Sequence, residues 1–310
     1  MRLSAGAKGV FPIAVTPFDE RGGVDWQSVD RMTDFYLGAG ASGLTILGIM
    51  GEAQKLDHDE AVAIVRRIVA RATGIPVVVG VSAPGFAPMR ALSGAAMDAG
   101  AAGVMIASPP SLRTDDQIVG YFASAVEAVG DGVPVVVQDY PLLLGVQMTP
   151  GVLARIFRDN PACVMLKHED WPGLEKISTL RAMQARGEFG PISILCGNGG
   201  LFLDLEPERG ADGAMTGYAF PDMLVDLMAL HSAGRRDAAH DLFDAHLPLL
   251  RYEQQPGLGL AVRKYLLMRR GAIACDAMRK PYAGLSAVAR AEVDYLAARV
   301  ARSDPRAAIG

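Results

Sequence analysis

The stretch Ala99-Gly100-Ala101-Ala102-Gly103-Val104-Met105-Ile106 joins the end of an amphipathic segment to a short apolar run through two glycines. Near copies of that joint recur as Gly38-Ala39-Gly40-Ala41-Ser42-Gly43 and Arg209-Gly210-Ala211-Asp212-Gly213. Glycine supplies a left-handed helix cap, and small residues let the chain turn tightly into a strand. Working outward, apolar runs at 11–16, 44–47, 76–81, 103–106, 133–138, 164–167, 193–196 and 213–216 alternate with helical stretches such as 25–37, 57–73, 116–129 and 149–157. Asp57 ahead of His58-Asp59-Glu60, and Thr149 ahead of Pro150, are helix-start signals. Eight strand–helix units predict an α/β fold, a TIM (β/α)8 barrel over residues 1–222. A doubly wound sheet also alternates, but no glycine-rich dinucleotide loop follows the first strand; Gly197-Asn198-Gly199-Gly200 comes too late. From 223 to 310 the pattern is helical only, at 235–250, 258–270 and 285–301. This predicts a C-terminal helical extension on the outside of the barrel or at a subunit interface.

Composition agrees with that architecture and excludes several function classes. The chain has 310 residues, half of them hydrophobic but only 6% aromatic, and 35 glycines. Such a mixture suits a parallel sheet wrapped by helices. A formal charge of −4 with scattered basic residues gives no track for nucleic acid. Cys163, Cys196 and Cys275 lie far apart and lack metal-ligand spacing, so neither a metal nor a disulfide framework is expected. No uncharged run reaches membrane-spanning length, and the first residues lack the apolar core of a signal peptide. The expectation is a cytoplasmic protein that acts on a small molecule.

In a TIM barrel the chemistry lies at the carboxyl ends of the strands. The sixth apolar run, Val164-Met165-Leu166, ends in Lys167 and continues as His168-Glu169-Asp170. An amine at such a position is costly to bury unless it is used, and its neutral form is a nucleophile toward carbonyl carbon. The other strand ends carry Gly48-Ile49-Met50-Gly51-Glu52, Gln138-Asp139-Tyr140, Cys196-Gly197-Asn198 and Met215. Residues two apart on a strand share a face, so Glu169 points as Lys167 does, and His168 points away. Asp139 alternates with Gln138 and faces outward or into the loop.

Five elements in order resemble the dihydrodipicolinate synthase / N-acetylneuraminate lyase family of class I aldolases. They are Gly9-Val10-Phe11-Pro12 with Thr16-Pro17-Phe18, the loop 48–52, Lys167, Gly197, and Gly213-Ala214-Met215-Thr216-Gly217. The resemblance implies a barrel with a helical tail, usually a homotetramer, in which Lys167 forms an imine with the ketone of pyruvate or another 2-keto acid. It implies no cofactor. Three departures matter. The loop carries Ile49 and Met50 where the family has hydroxyl residues, so its amides remain but the hydroxyl relay is missing. Gln138, aligned through Pro141, takes the place of a proton-shuttling tyrosine. Leu143 falls where the synthases carry an arginine for a second carboxylate. Gln138-Asp139-x-Pro141 with Glu169 instead resembles the branch that includes L-2-keto-3-deoxyarabonate dehydratase.

The expected function is dehydration, or retro-aldol cleavage, of a 2-keto-3-deoxy sugar acid. Lys167 would form the imine and Glu169 would remove the C3 proton. The amides of Ile49, Met50 and Gly197 would hold the carboxylate. Gly48, Gly51, Asn198, Met215 and Tyr140 would complete the pocket, with Asn198 and Gln138 as hydroxyl-binding groups. Two alternatives stay open: synthesis of dihydrodipicolinate from pyruvate and aspartate semialdehyde, and a barrel that binds a keto acid without turnover.

Overall fold

A computed structural model describes residues 1–171 and 173–309, so residue 310 of the expected extension lies outside the described residues. In chain order the elements are β1 (Gly9–Val10), α1 (Trp26–Gly38), β2 (Leu44–Ile46), α2 (His58–Arg71), β3 (Val77–Gly80), α3 (Phe86–Asp98), β4 (Gly103–Ala107), α4 (Asp115–Val129) and β5 (Val135–Asp139). A one-turn α5 (Pro141–Leu144) precedes α6 (Pro150–Asp159), β6 (Cys163–His168), α7 (Leu174–Ala185), β7 (Ser193–Cys196), β8 (Gly213–Ala214) and α8 (Pro221–Ser232). Then follow α9 (Arg236–Glu253), α10 (Gly259–Arg269) and α11 (Ala287–Val300).

All eight strands are parallel, in the order β1-β8-β7-β6-β5-β4-β3-β2. A bridge between Ile13 and Thr45 brings the two ends together, as a TIM barrel requires. The first strand differs from its prediction at 11–16. Its ladder is confined to Gly9–Val10, and the continuation stays extended, with the amides of Phe11 and Ile13 donating to the carbonyls of Ala214 and Thr216. Pro12, which has no N–H, lacks a donor on the opposite edge, toward β2, where its carbonyl accepts from the Thr45 amide. The seventh unit also departs from expectation: short 3-10 turns at Asn198–Gly200 and Pro207–Arg209 link β7 to β8 where a helix was expected.

The recurring joint behaves as its glycines require. Gly100 adopts φ +95°, the left-handed region that side chains avoid. Gly213, the second glycine of its joint, lies so close to β1 that a Cβ there would overlap the Gly9 carbonyl. The predicted caps form. Asp57 and Glu60 make a reciprocal capping box, and Thr149 accepts from the Val152 amide ahead of Pro150.

Alternation along the strands separates two apolar layers. One lies between sheet and helices. The other fills the barrel, where Phe11, Ile13, Val78, Met105, Val136, Met165, Leu195 and Met215 pack together. Each such buried side chain contributes roughly 1.5–3 kcal/mol. Because Met165 and Val136 point inward, so do Lys167 and Gln138, two residues further along. The extension does more than coat the exterior. Helix α10 is buried on nearly every side, and its Arg263 and Lys264 reach residues at the carboxyl end of the barrel.

Candidate active site

Register sets the central pair. Gln138 on β5 lies directly beside Lys167 on β6, and Asp139 beside His168. Nζ of Lys167 is 3.1 Å from Oε2 of Glu169, and both side chains are about 7% exposed. The same Oε2 accepts a hydrogen bond from Nε2 of Gln138 at 2.7 Å. The other oxygen, Oε1, accepts from the backbone N–H of Asn198 at 3.2 Å. A carboxylate held by an amide, a backbone N–H and an ammonium is fixed in both position and orientation.

Gly197 takes a different part from the one expected. Its N–H donates to the His168 carbonyl at 2.8 Å, so it is not free to hold a substrate carboxylate. The residue makes room instead: a Cβ there would stand 2.6 Å from Oε1 of Glu169. Asn198, in the left-handed region at φ 53°, keeps a buried Nδ2 without a partner among the described residues.

The loop after β2 forms one 3-10 turn, Ile49–Gly51, whose last N–H groups close back on Gly48 and Ile49. Thr16 anchors it by donating from Oγ1 to the Gly51 carbonyl at 2.5 Å. Met50 rests partly on the apolar plug of the barrel. Met215 belongs to that plug and is fully buried beside Met165 and Leu195. Tyr140 is half-buried at the start of α5. Burial raises its phenol above the ordinary value, the Glu169 charge adds to this, and the Arg263 charge opposes it. The phenol therefore remains protonated at neutral pH.

Residues expected to point away do so. Asp139 binds Lys176 at 2.5 Å and lies 3.7 Å from Nδ1 of His168, whose Nε2 faces the Gly173 carbonyl at 3.2 Å. Lys176 also binds Asp170 at 2.9 Å, so this network braces the outer side of β5 and β6.

Sequence reasoning missed the contribution of α10. Nζ of Lys264 is 2.6 Å from Glu52 Oε1, while Lys55 binds the other Glu52 oxygen at 2.8 Å. The pair clamps the end of the 48–52 loop to the extension. Burial holds the Lys264 amine below its ordinary value, against the pull of Glu52. Arg263 binds the buried Glu253 through Nε at 2.6 Å and donates from Nη2 to the Gly217 carbonyl. The available signal was two adjacent cations inside the apolar run from Leu260 to Leu267.

A profile of the Dihydrodipicolinate synthetase family matches residues 6–299. The chain belongs to this family. L-2-keto-3-deoxyarabonate dehydratase of Azospirillum brasilense is 31% identical over 94% of each chain. A 4-hydroxy-tetrahydrodipicolinate synthase of Methanococcus aeolicus is 26% identical over 76% of this chain and 79% of its own. Among solved structures, a dihydrodipicolinate synthase from Rhodopseudomonas palustris superposes with TM-score 0.95 and 62% identity, over 96% of this chain and 99% of that one. Members of the family are lyases of the class I aldolase type, and this chain is such an enzyme. Among the described residues no helix is long and apolar enough to cross a membrane.

Proposed function

We propose that the protein is a Schiff-base-forming lyase that dehydrates a 2-keto-3-deoxy sugar acid. The observation that carries this reading is the 3.1 Å contact between Lys167 Nζ and Glu169 Oε2, with Gln138 and Asn198 holding the carboxylate in place. Glu169 accepts a proton from the ammonium, and the neutral amine attacks the ketone. Glu169 returns that proton to the carbinolamine oxygen, which leaves as water, and the carboxylate is free again. The protonated imine draws electrons from C3, and Glu169 removes the C3 proton to give an enamine. The enamine expels the C4 hydroxyl, which takes a proton and departs as water. Hydrolysis of the conjugated imine then restores Lys167.

The turn at Ile49 and Met50 takes the substrate carboxylate on backbone N–H groups. Buried Nδ2 of Asn198 suits a substrate hydroxyl. Tyr140, kept protonated, is the donor assigned to the departing C4 hydroxyl. Gln138 acts on the substrate through Glu169. Further parts of the proposal are a homotetramer, checked by sedimentation, and a cytoplasmic location, checked by fractionation. The free and mostly buried cysteines support the latter.

The test is borohydride reduction in the presence of 2-keto acids, followed by product analysis. A mass gain on the Lys167 peptide and a dehydrated product from a 3-deoxy-2-keto sugar acid are expected. Trapping without turnover would favour a keto-acid-binding barrel. Efficient condensation of pyruvate with aspartate semialdehyde would favour the second reading, a dihydrodipicolinate synthase. The 62% identical Rhodopseudomonas palustris protein of that name speaks for it. Gln138 in the place of a phenol and the exposed aliphatic Leu143 speak against it.

A further inference from the structure

Arg263 is only 2% exposed, yet its Nη1 has no hydrogen-bond partner among the described residues. Its other nitrogens are engaged, Nε by Glu253 and Nη2 by the Gly217 carbonyl. Gly217 lies three residues beyond the last residue of β8, at the catalytic end of the barrel. A Cβ at Gly217 would overlap Nη1, so the glycine lets the guanidinium approach the backbone there. Gly217 stands two residues beyond Met215, which fills the barrel, and the chain stays paired to Ile13 between them, so the guanidinium meets the backbone on its inward face, the face of Lys167.

We infer that Arg263 is a specificity-determining residue, whose Nη1 donates a hydrogen bond to a hydroxyl on the distal part of a 2-keto acid held on Lys167. This rests on the imine reading above.

The choice of a hydroxyl over a second carboxylate follows from the charge around the guanidinium. Glu253, 1% exposed, binds Nε at 2.6 Å, and its second oxygen accepts from the Ala219 amide at 3.1 Å. The positive charge is therefore already balanced by a carboxylate that water does not screen. A further carboxylate at Nη1 would bring unbalanced negative charge into a buried site. A hydroxyl adds no charge and satisfies the unpaired N–H. The favoured substrates are therefore monocarboxylic keto acids with a hydroxylated tail. A buried N–H that is met by one ligand and left unmet by another separates the two by roughly ten-fold in affinity.

The experiment uses the full chain and three probes of equal carbon number: a 2-keto-3-deoxypentonate, 2-ketopentanoate and 2-ketoglutarate. Half-saturating concentrations for borohydride trapping are compared in the unaltered protein, Arg263→Lys and Gly217→Ala. The hydroxylated acid is expected to bind about ten-fold better than 2-ketopentanoate and better than 2-ketoglutarate. In either variant the first ratio should shrink to about two-fold or less. A ratio is not moved by a partial loss of folded protein. If both variants fail to fold, the unaltered protein still decides through its own preference. Equal binding of the three probes, tightest binding of 2-ketoglutarate, or an unchanged ratio in a folded variant overturns the assignment. Failure to trap even pyruvate would strike the imine reading instead. The same probes compared by calorimetry would then test Arg263 separately.

Discussion

Gly197 and Glu169 share a space that admits only one side chain: a Cβ on the glycine would stand 2.6 Å from both Cδ and Oε1 of the glutamate. The backbone of β7 thus forms a wall that presses the carboxylate toward Lys167. Gly197→Ala should push Glu169 off its place beside the amine. Misplacement of a catalytic group by about 1 Å costs on the order of 100-fold, so exchange of the C3 protons of pyruvate with deuterium, followed by NMR, should slow by that order. Overpacking should also cost about 1–3 kcal/mol in urea unfolding. Exchange at the original rate would mean that Glu169 need not sit where it does.

Glu169→Gln separates the two roles assigned to the carboxylate. The Lys167 peptide should still be trapped by borohydride, more slowly, because the neighbour no longer takes the ammonium proton. Deuterium exchange at C3 should fall about 10²–10⁴-fold, the usual contribution of a positioned base. If exchange is unaffected, another group removes the proton.

Glu52 faces two ammonium groups, Lys264 at 2.6 Å and Lys55 at 2.8 Å, and is itself 1% exposed. Glu52→Gln would leave Lys264 buried without a counter-charge, which costs about 3–5 kcal/mol. Replacing both partners, Glu52→Gln with Lys264→Met, should recover part of that loss, since no uncompensated charge remains. Urea midpoints of Glu52→Gln, Lys264→Met and the double variant provide the comparison. Additive losses would show that the two residues do not act as a pair.

Burial pushes the Glu206 carboxyl up to about 8, helped by the charge of Asp204 and opposed by the Cys196 thiol. An acid held protonated in the folded chain favours folding fully below the ordinary carboxylate range. That contribution is lost as pH rises from there to about 8, because the unfolded chain ionises first. Glu206→Gln, which never ionises, should therefore be more stable than the parent near pH 8, by on the order of a few kcal/mol, with little difference near pH 4. Melting temperatures across that interval measure it. A constant difference at every pH would show that Glu206 does not titrate in this way.

Much of the site was legible because it follows from alternation. Met165, Lys167 and Glu169 share the inward face of one strand and its continuation, so the amine and the carboxylate had to meet. The same alternation put His168 and Asp139 on the outer face, where they join Lys176. What alternation does not carry is hydrogen-bond allocation. The Gly197 amide read as available, but β6 and β7 use it in their ladder. The helix expected after β7 is absent because the chain there keeps to short turns around Asn198 and Pro207.

The amino-acid order alone determined the barrel, its catalytic end and the lysine with its glutamate. These depend on periodicities and glycine joints that act within a few residues. Only the tertiary structure decided what surrounds them. Glu52 and Lys264 are 212 residues apart, and Arg263 meets Gly217 across 46. Such contacts depend on how α10 packs across the barrel, and local propensity carries no record of which distant backbone a buried cation will find.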